Sequence, residues 1–481
     1  MKNKLIIHWF RQDLRLHDNP ALYSAFEEGC VLPVFIFDTH NSRQYQIGSA
    51  SKLWLYHSLI SLQKSLDGNL YLFQGDPNDI LFNLIIKYKA QAIYWNRCYE
   101  PWQIKRDKAI EQKGKDKNIL VKTFNASLLW EPWNILKRDG TPYKVFTPFY
   151  QKGCLMSGDI PRAPFPKPKS TNNIIFLQEN KDIKILNLLP RYKWDKKLEN
   201  CWNIGEENSL SKFNMFVENG LKDYKDGRNY PNKSSVSLLS PHLHWGEISP
   251  FYIWQKVSNL DANHNTSHFL SELGWREFSY YLLYYFPFIT EKNSQEKFDL
   301  FPWQENKKYL LAWQKGLTGY PIVDAGMRQL WAEGYIHNRV RMIVGSFLVK
   351  NLLIHWHYGA KWFWDCLVDA DLASNSASWQ WIAGCGADAA PYFRIFNPIT
   401  QGVKFDAQGL YTKKYLPELK KLPDKYLFSP WQAPENILKD AGVTLGTHYP
   451  YPIVDLQESR NLALAAYDNI KLKRNKYLGH Y

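Results

Sequence analysis

Five short apolar runs stand out in the first third of the chain: LIIHWF at 5–10, VLPVFIFD at 31–38, LYLFQGD at 70–76, AIYWNR at 92–97 and VKTFNASLL at 121–129. Each has strand length. Stretches with helical periodicity separate them, at 19–28, 49–66, 78–89 and 102–113. The runs are apolar at nearly every position rather than at alternate ones. That predicts strands buried on both faces, as in a parallel sheet covered by crossover helices. The expectation is an N-terminal α/β domain over 1–135, built on a doubly wound parallel sheet. No G-x-G-x-x-G follows the first run, so the pattern does not predict a nicotinamide-type dinucleotide fold.

The alternation stops after the fifth run. Residues 158–200 are rich in Pro, Lys and Asn, beginning with PRAPFPKPKS, and predict a long surface-wrapping connection within 136–205. Beyond about 205 the period becomes helical, at 267–285, 321–333, 336–353, 359–375 and 457–471. The expected fold class is therefore α/β followed by all-α, with an all-helical domain over 206–481.

Composition narrows the function. Hydrophobic residues make up 45% of the 481, enough for a large core. The net charge of +14, with 20 Trp and 30 Tyr, suits a polyanion or a ring-bearing ligand, because both reward positive charge or stacking. The six cysteines are scattered, with no Cys-x-x-Cys pair and no zinc spacing, which predicts free thiols in a reducing compartment and no metal. No window reaches 18 apolar residues and the N-terminus lacks a signal-peptide core, so a cytoplasmic protein without a membrane partner is expected.

The densest candidate chemistry lies in 366–402. Asp369, Asp371, Asn375 and Gln380 stand there beside Trp379, Trp381 and a run of Gly and Ala. Small residues let backbone approach a flat ligand, and carboxylates and amides serve its polar edge. This reads as a site for a large planar cofactor or a base, with redox chemistry open. Asp371, Asn375 and Trp379 recur at steps of four and would share a helical stripe. In 268–286, Glu272, Trp275 and Arg276 share a face, which also suits an ordinary surface Glu–Arg pair. In 334–353, Asn338, Arg341 and Met342 share another, with His337 and Arg339 beside them. A buried Arg341 would need an anion, and Asp369 or Asp371 is the natural partner. Ser234, Ser235, Ser237 and Ser240 precede a helical stretch, as an anion site or a plain helix cap would.

Five motifs, in order and spread over nearly the whole chain, resemble the DNA photolyase/cryptochrome family: WFRQDLRLHDNPAL (9–22), LGWREF (273–278), GYPIVDAGMRQL (319–330), HNRVRM (337–342) and DADLASNSASWQW (369–381). The chain looks most like bacterial class I-type members that repair cyclobutane pyrimidine dimers. The resemblance implies FAD bound in the helical domain. Tyr224, Ser237, Leu239 and Ser240 would face its phosphates or ribose, and Arg276 and Asn338 would line it. Arg341 and Asp369 would pair beside the ring, with Asp371 at its polar edge. Asn375 would lie next to flavin N5, where plant-type cryptochromes carry an acid. Glu272 and Met342 would touch the lesion, and Trp275 and Trp381 would wall it. Arg339, Arg394 and Lys404 would hold DNA backbone. Trp379, Trp356 and Trp303 would form the photoreduction chain that connects the ring to the surface. (6-4) photolyases carry His where this chain has Asn338.

The implied function is light-driven repair of UV-damaged DNA by an electron from excited reduced FAD, in a monomer. The alternative is a cryptochrome-type blue-light photoreceptor. The loop Val236-Ser237-Leu238-Leu239-Ser240 lacks one hydroxyl and one cation of the family pattern. An antenna chromophore, methenyltetrahydrofolate or a deazaflavin, is implied near 48–55 and 96–101. However, Pro101-Trp102-Gln103 departs from the folate-contacting pattern.

Overall fold

The structure, a computed structural model, describes residues 4–169, 171–190, 196–389 and 393–478. Residues 191–195 of the expected connection and 390–392 of the 366–402 stretch lie outside the described residues.

Five strands form the sheet: β1 Leu5–Phe10, β2 Cys30–Asp38, β3 Tyr71–Gly75, β4 Ala92–Asn96 and β5 Leu120–Phe124. All are parallel, in the order β3-β2-β1-β4-β5. Between them run α1 Pro20–Glu28, α2 Ser49–Ser65, α3 Pro77–Tyr88 and α4 Pro101–Asp116. Successive side chains go to opposite faces, as the pleat requires. Ile6, Phe10, Val31, Phe35 and Tyr94 pack with Leu22 of α1 and Trp54 of α2. Ile7, Trp9, Leu32, Val34 and Ile93 pack with Leu81 and Ile85 of α3 and Ile110 of α4. Both faces are therefore cores, and the sheet is doubly wound.

Strand order reverses between β1 and β4, the switch point where such folds place polar groups that face ligands. A small pocket opens there, lined by Gln12, Asp13, Asn96, Arg97, Cys98, Tyr99, Ser127 and Tyr280, with about 10 Å3 of internal space. That is room for one water molecule rather than for a ring chromophore. The connection after β5 returns to the sheet. Ile174 bridges Val31 in parallel, and Tyr71 donates its hydroxyl to the Ile175 carbonyl at 2.8 Å.

The chain forms two compact units. The first holds 1–222, 237–287 and 368–373; the second holds 223–236, 288–367 and 374–481. The helix His264–Tyr285 belongs to the first. The helices Pro321–Glu333, Asn338–Ser346 and Trp356–Cys366 belong to the second.

The single helix expected over 359–375 is broken. Trp356–Cys366 ends, residues 367–371 turn, and a new helix runs Leu372–Ala383. The break falls at Asp369 and Asp371, whose short carboxylates form hydrogen bonds to Ser240 and Tyr280. Asp371 consequently precedes the helix that carries Asn375 and Trp379. The stretch expected as one helix over 336–353 starts at Asn338 and widens into a π-turn at Phe347–Asn351. Among the described residues no helix is long and apolar enough to cross a membrane.

Candidate active site

The expected site residues are divided between the two units. In the first, a carboxyl cluster gathers around the loop 367–371. Asp369 accepts the Ser240 hydroxyl at 2.6 Å. Asp371 Oδ2 accepts the Tyr280 hydroxyl at 2.5 Å and lies 3.3 Å from His244 Nδ1. Burial, reinforced by Asp371, pushes the Tyr280 hydroxyl well above its ordinary value, so it stays a donor. Burial, and then the charge of Asp371, lifts the carboxyl of Glu100 to about 7. Ser237 is half-buried, Leu239 buried and Ser240 exposed. Between them Leu238 has φ of 53°, a left-handed conformation that costs a residue with a side chain roughly 1–3 kcal/mol. Such strain commonly marks a ligand-holding turn.

The helix His264–Tyr285 begins at a capping box between Asn263 and Thr266, which fixes its start. Arg276 does not form the surface pair that its spacing from Glu272 suggests. It donates to the Ser127 carbonyl at 2.7 Å and to Glu277 at 2.9 Å. Glu272 is half-exposed, with His268 Nε2 at 3.7 Å. Trp275 stacks on Phe146 at 3.8 Å, and Phe146 stacks on Tyr150. One face of Trp275 is thus fixed by protein.

In the second unit, guanidinium groups gather around the start of the helix Asn338–Ser346. His337 caps it, accepting from the Arg339 N–H at 3.2 Å. Burial, then Arg228, Arg339 and Arg341, lower His337 to about 3, so its ring is neutral. Arg339 bonds Asn229, lies 4.4 Å over Phe405 and approaches Met342 Sδ at 3.8 Å. Lys404 lies 5.3 Å over the same Phe405 ring. Arg339 therefore lies beside both Met342 and the Phe405 ring that Lys404 also faces. Arg341 donates to the Ile336 carbonyl at 2.7 Å and sits 5.2 Å over Tyr335, and Asn338 is exposed. Its implied partner Asp369 belongs to the first unit. Tyr224 is buried, with Arg228 5.3 Å over its ring.

Arg394 is exposed, and its carbonyl accepts from the buried Lys350. These two residues line a small pocket with Trp381, Phe393, Phe396 and Tyr467. Asn375 is half-buried, its amide nitrogen held by the Ala360 carbonyl at 3.0 Å. Trp379 is 3% exposed, with its edge contacts to Phe363 at 5.0 Å and Trp313 at 6.3 Å. Trp356 is 1% exposed and donates to Asn293 at 2.8 Å. The His355 ring lies 5.6 Å from Trp356 and 4.9 Å from the half-buried Trp303. The three expected tryptophans thus run from buried to partly exposed positions.

Sequence reasoning missed Glu100, His244 and Tyr280, which meet Asp371 only through folding, and Arg228 and Asn229, which meet Arg339. For the last two a signal was available, since Arg228-Asn229 lies just ahead of the serine cluster that starts at Ser234.

A strained serine turn, a carboxyl cluster and tryptophans at Trp379, Trp356 and Trp303 are the features that the comparisons with known proteins bear on. Residues 6–169 match the DNA photolyase model and 269–469 match the FAD binding domain of DNA photolyase. The chain belongs to the DNA photolyase family. It is 47% identical over 479 residues to the deoxyribodipyrimidine photo-lyase of Agrobacterium fabrum (strain C58 / ATCC 33970), covering 98% of this chain and 99% of that protein. Cryptochrome-2 of Arabidopsis thaliana is 37% identical over 484 residues, covering 96% of this chain and 79% of that one. The crystal structure of a bacterial class III photolyase from Agrobacterium tumefaciens matches with a TM-score of 0.94 and 47% identity, covering 98% of each chain.

The residues present fit FAD. In the first unit His244 Nε2, whose Nδ1 faces Asp371, is buried without a hydrogen-bond partner among the described residues. Polar ring edges and phosphates of a bound dinucleotide supply the partners that buried polar atoms require.

Proposed function

We propose that this chain is a deoxyribodipyrimidine photo-lyase that uses blue light to split cyclobutane pyrimidine dimers in UV-damaged DNA. Tyr224, Ser237, Leu239, Ser240, Arg276, Asn338, Arg341, Asp369 and Asp371 hold the cofactor. When bound and reduced, FAD would lend the lesion a photoexcited electron, which returns once the cyclobutane ring has split. The protein contributes placement, a dry cavity and electrostatics.

Arg339, Arg394 and Lys404 bind phosphates without reading sequence. The lesion is selected because a damaged pair is cheaper to flip out of the stack than an intact one. Trp275, its one face fixed by Phe146, and Trp381 wall the flipped dimer, while Met342 touches it. Glu272 hydrogen-bonds the pyrimidines and steadies the charge that arrives on them. Trp379, Trp356 and Trp303 would relay electrons from an external reductant at the surface to the oxidised cofactor.

The observation that carries repair over signalling is Asn375. Its side chain is neutral and held by Ala360, where plant-type cryptochromes place an acid. The test is loss of dimers from an irradiated oligonucleotide, under blue light and in the dark. Light-dependent loss supports the reading. A yellow, photoreducible protein that leaves the dimers intact would instead mark a cryptochrome-type receptor.

A further inference from the structure

The proposed photoreduction series uses Trp356 and Trp303 but not the histidine between them. Among the described residues, Trp356 is in ring contact with His355 at 5.6 Å and with His357 at 3.9 Å. Trp303 is in ring contact with Phe301 at 4.5 Å and with His355 at 4.9 Å. His355 is the ring common to both. It is also the N-cap of the helix Trp356–Cys366, where its Nδ1 accepts the His357 N–H at 3.2 Å. The chain beside Trp303 is tied to the same turn, since the Gln304 N–H donates to the Leu353 carbonyl at 2.8 Å. Trp303 donates its indole N–H to the Phe298 carbonyl at 3.2 Å.

The cap also fixes the proton of the imidazole. A ring nitrogen that accepts an N–H carries no proton itself, so the proton sits on Nε2 and the ring is neutral. Burial, then His357, act in the same direction and lower His355 to about 4 against the pull of Asp299. His357 is itself lowered by burial, with Glu291 opposing. Trp356 gives its indole N–H to the Asn293 side chain at 2.8 Å. An amide oxygen is a poor base, so an oxidised Trp356 is relieved by gaining an electron rather than by losing a proton there.

We propose that the neutral His355 ring is the bridge through which an electron passes from Trp303 to oxidised Trp356. This rests on the proposed assignment of both tryptophans to photoreduction. One electron leaves Trp303 and restores Trp356, and the vacancy comes to rest on Trp303, which is half-buried rather than buried. One electron from an external thiol then refills Trp303. His355 is neither oxidised nor reduced, no bond in these residues forms or breaks, and none of them loses a proton. An imidazolium in this position would repel positive charge from both indoles and close the route.

The experiment follows the oxidised, flavin-loaded protein by transient absorption after a light flash. Trp303→Phe tests the series and should lose the long-lived tryptophan radical signal. His355→Asn keeps a side-chain acceptor for the cap but removes the ring, and should lose most of the same signal. His355→Phe restores a ring without the acceptor and should recover much of it. Loss in Trp303→Phe together with a wild-type signal in His355→Asn overturns the bridge and leaves the series standing. A wild-type signal in Trp303→Phe overturns the series and the bridge together. Loss in both His355 variants assigns His355 to holding the helix start alone and overturns the bridge. A second readout needs no light. Histidine ring NMR of the dark protein at pH 7 should show the resonance missing from both His355 variants as a neutral imidazole protonated on Nε2. An imidazolium there overturns the proposal. Thermal unfolding of each variant serves as the folding control.

Discussion

Replacing Gly359 with alanine would strike the tryptophan series at its innermost member. Gly359 stands one turn after Trp356 on the helix Trp356–Cys366. A Cβ there would lie 2.2 Å from Cη2 of Trp379, 2.5 Å from Cζ3 and 2.6 Å from Cζ2. Ordinary carbon contacts are about 3.5–4.0 Å, so the indole would have to move by about 1.3 Å or more. It has little room, because Phe363 and Trp313 pack against it. Two effects compete. Alanine is better than glycine inside a helix by about 1 kcal/mol. Overpacking a rigid core ring costs about 1–3 kcal/mol. The clash should win, leaving a net loss of up to about 2 kcal/mol. The melting temperature should fall by about 2–4 °C for each kcal/mol lost. Displacing the ring should also slow light-driven bleaching of the oxidised flavin absorbance. The assays are thermal unfolding and bleaching rate under fixed illumination. A variant that melts at or above wild type and bleaches at the same rate would refute the reasoning, since the ring would then have room to yield.

Trp379→Phe should abolish photoreduction while sparing repair by protein reduced chemically beforehand; lost repair in that state would assign Trp379 a structural role. Arg394→Ala should make the log affinity–log salt plot shallower by about one unit, since each phosphate contact contributes about 0.9, without changing the preference for damaged DNA. An unchanged slope with lost lesion preference would misplace the basic surface. Glu277 is buried, which raises its carboxyl to about 7 even with Arg276 and the Trp130 N–H beside it. A folded value above the ordinary one means that this contribution is present at acid pH and is lost as pH rises through about 7. Glu277→Gln should therefore flatten the fall in denaturant stability between about pH 5 and 8, and an unaltered profile would show that the carboxyl ionises freely.

The strands were legible because their apolar runs are continuous, and each expected start falls within one residue of the observed one. The fifth was read too long. Asn125 ends it by accepting from the Ser127 and Leu128 N–H groups, both at 3.1 Å. That is local turn chemistry of the kind Asn favours, and Asn-Ala-Ser was visible in the sequence. The helix break at 367–371 was harder, because no Gly or Pro marks it. What breaks the helix is the capture of two aspartates by Ser240 and Tyr280, residues about 90 to 130 positions away in the chain. Contiguous motifs such as HNRVRM surfaced for the opposite reason: one short segment carries several members of the site. Glu100, His244 and Tyr280 are single residues in three separate elements, and no spacing rule unites them.

The charge of +14 is not evenly used. In the first unit, hydroxyl donors meet Asp369 and Asp371, an indole N–H meets Glu100 and an arginine meets Glu277. In the second, Arg228, Arg339, Arg341 and Arg394 are close enough for their charges to be felt at His337 or at Arg339 itself. A carboxyl cluster satisfied by donors suits the polar edge of a neutral ring, because it offers acceptors without forcing a fixed charge on the ligand. Burial, then the charges of Arg228 and Arg394, lower Arg339, and an external anion beside it would offset that repulsion. Under the proposed function, phosphate is that anion, so salt should weaken DNA binding while leaving the flavin in place. Salt that released both together would mean that the cofactor, like the DNA, is held chiefly by the arginine cluster.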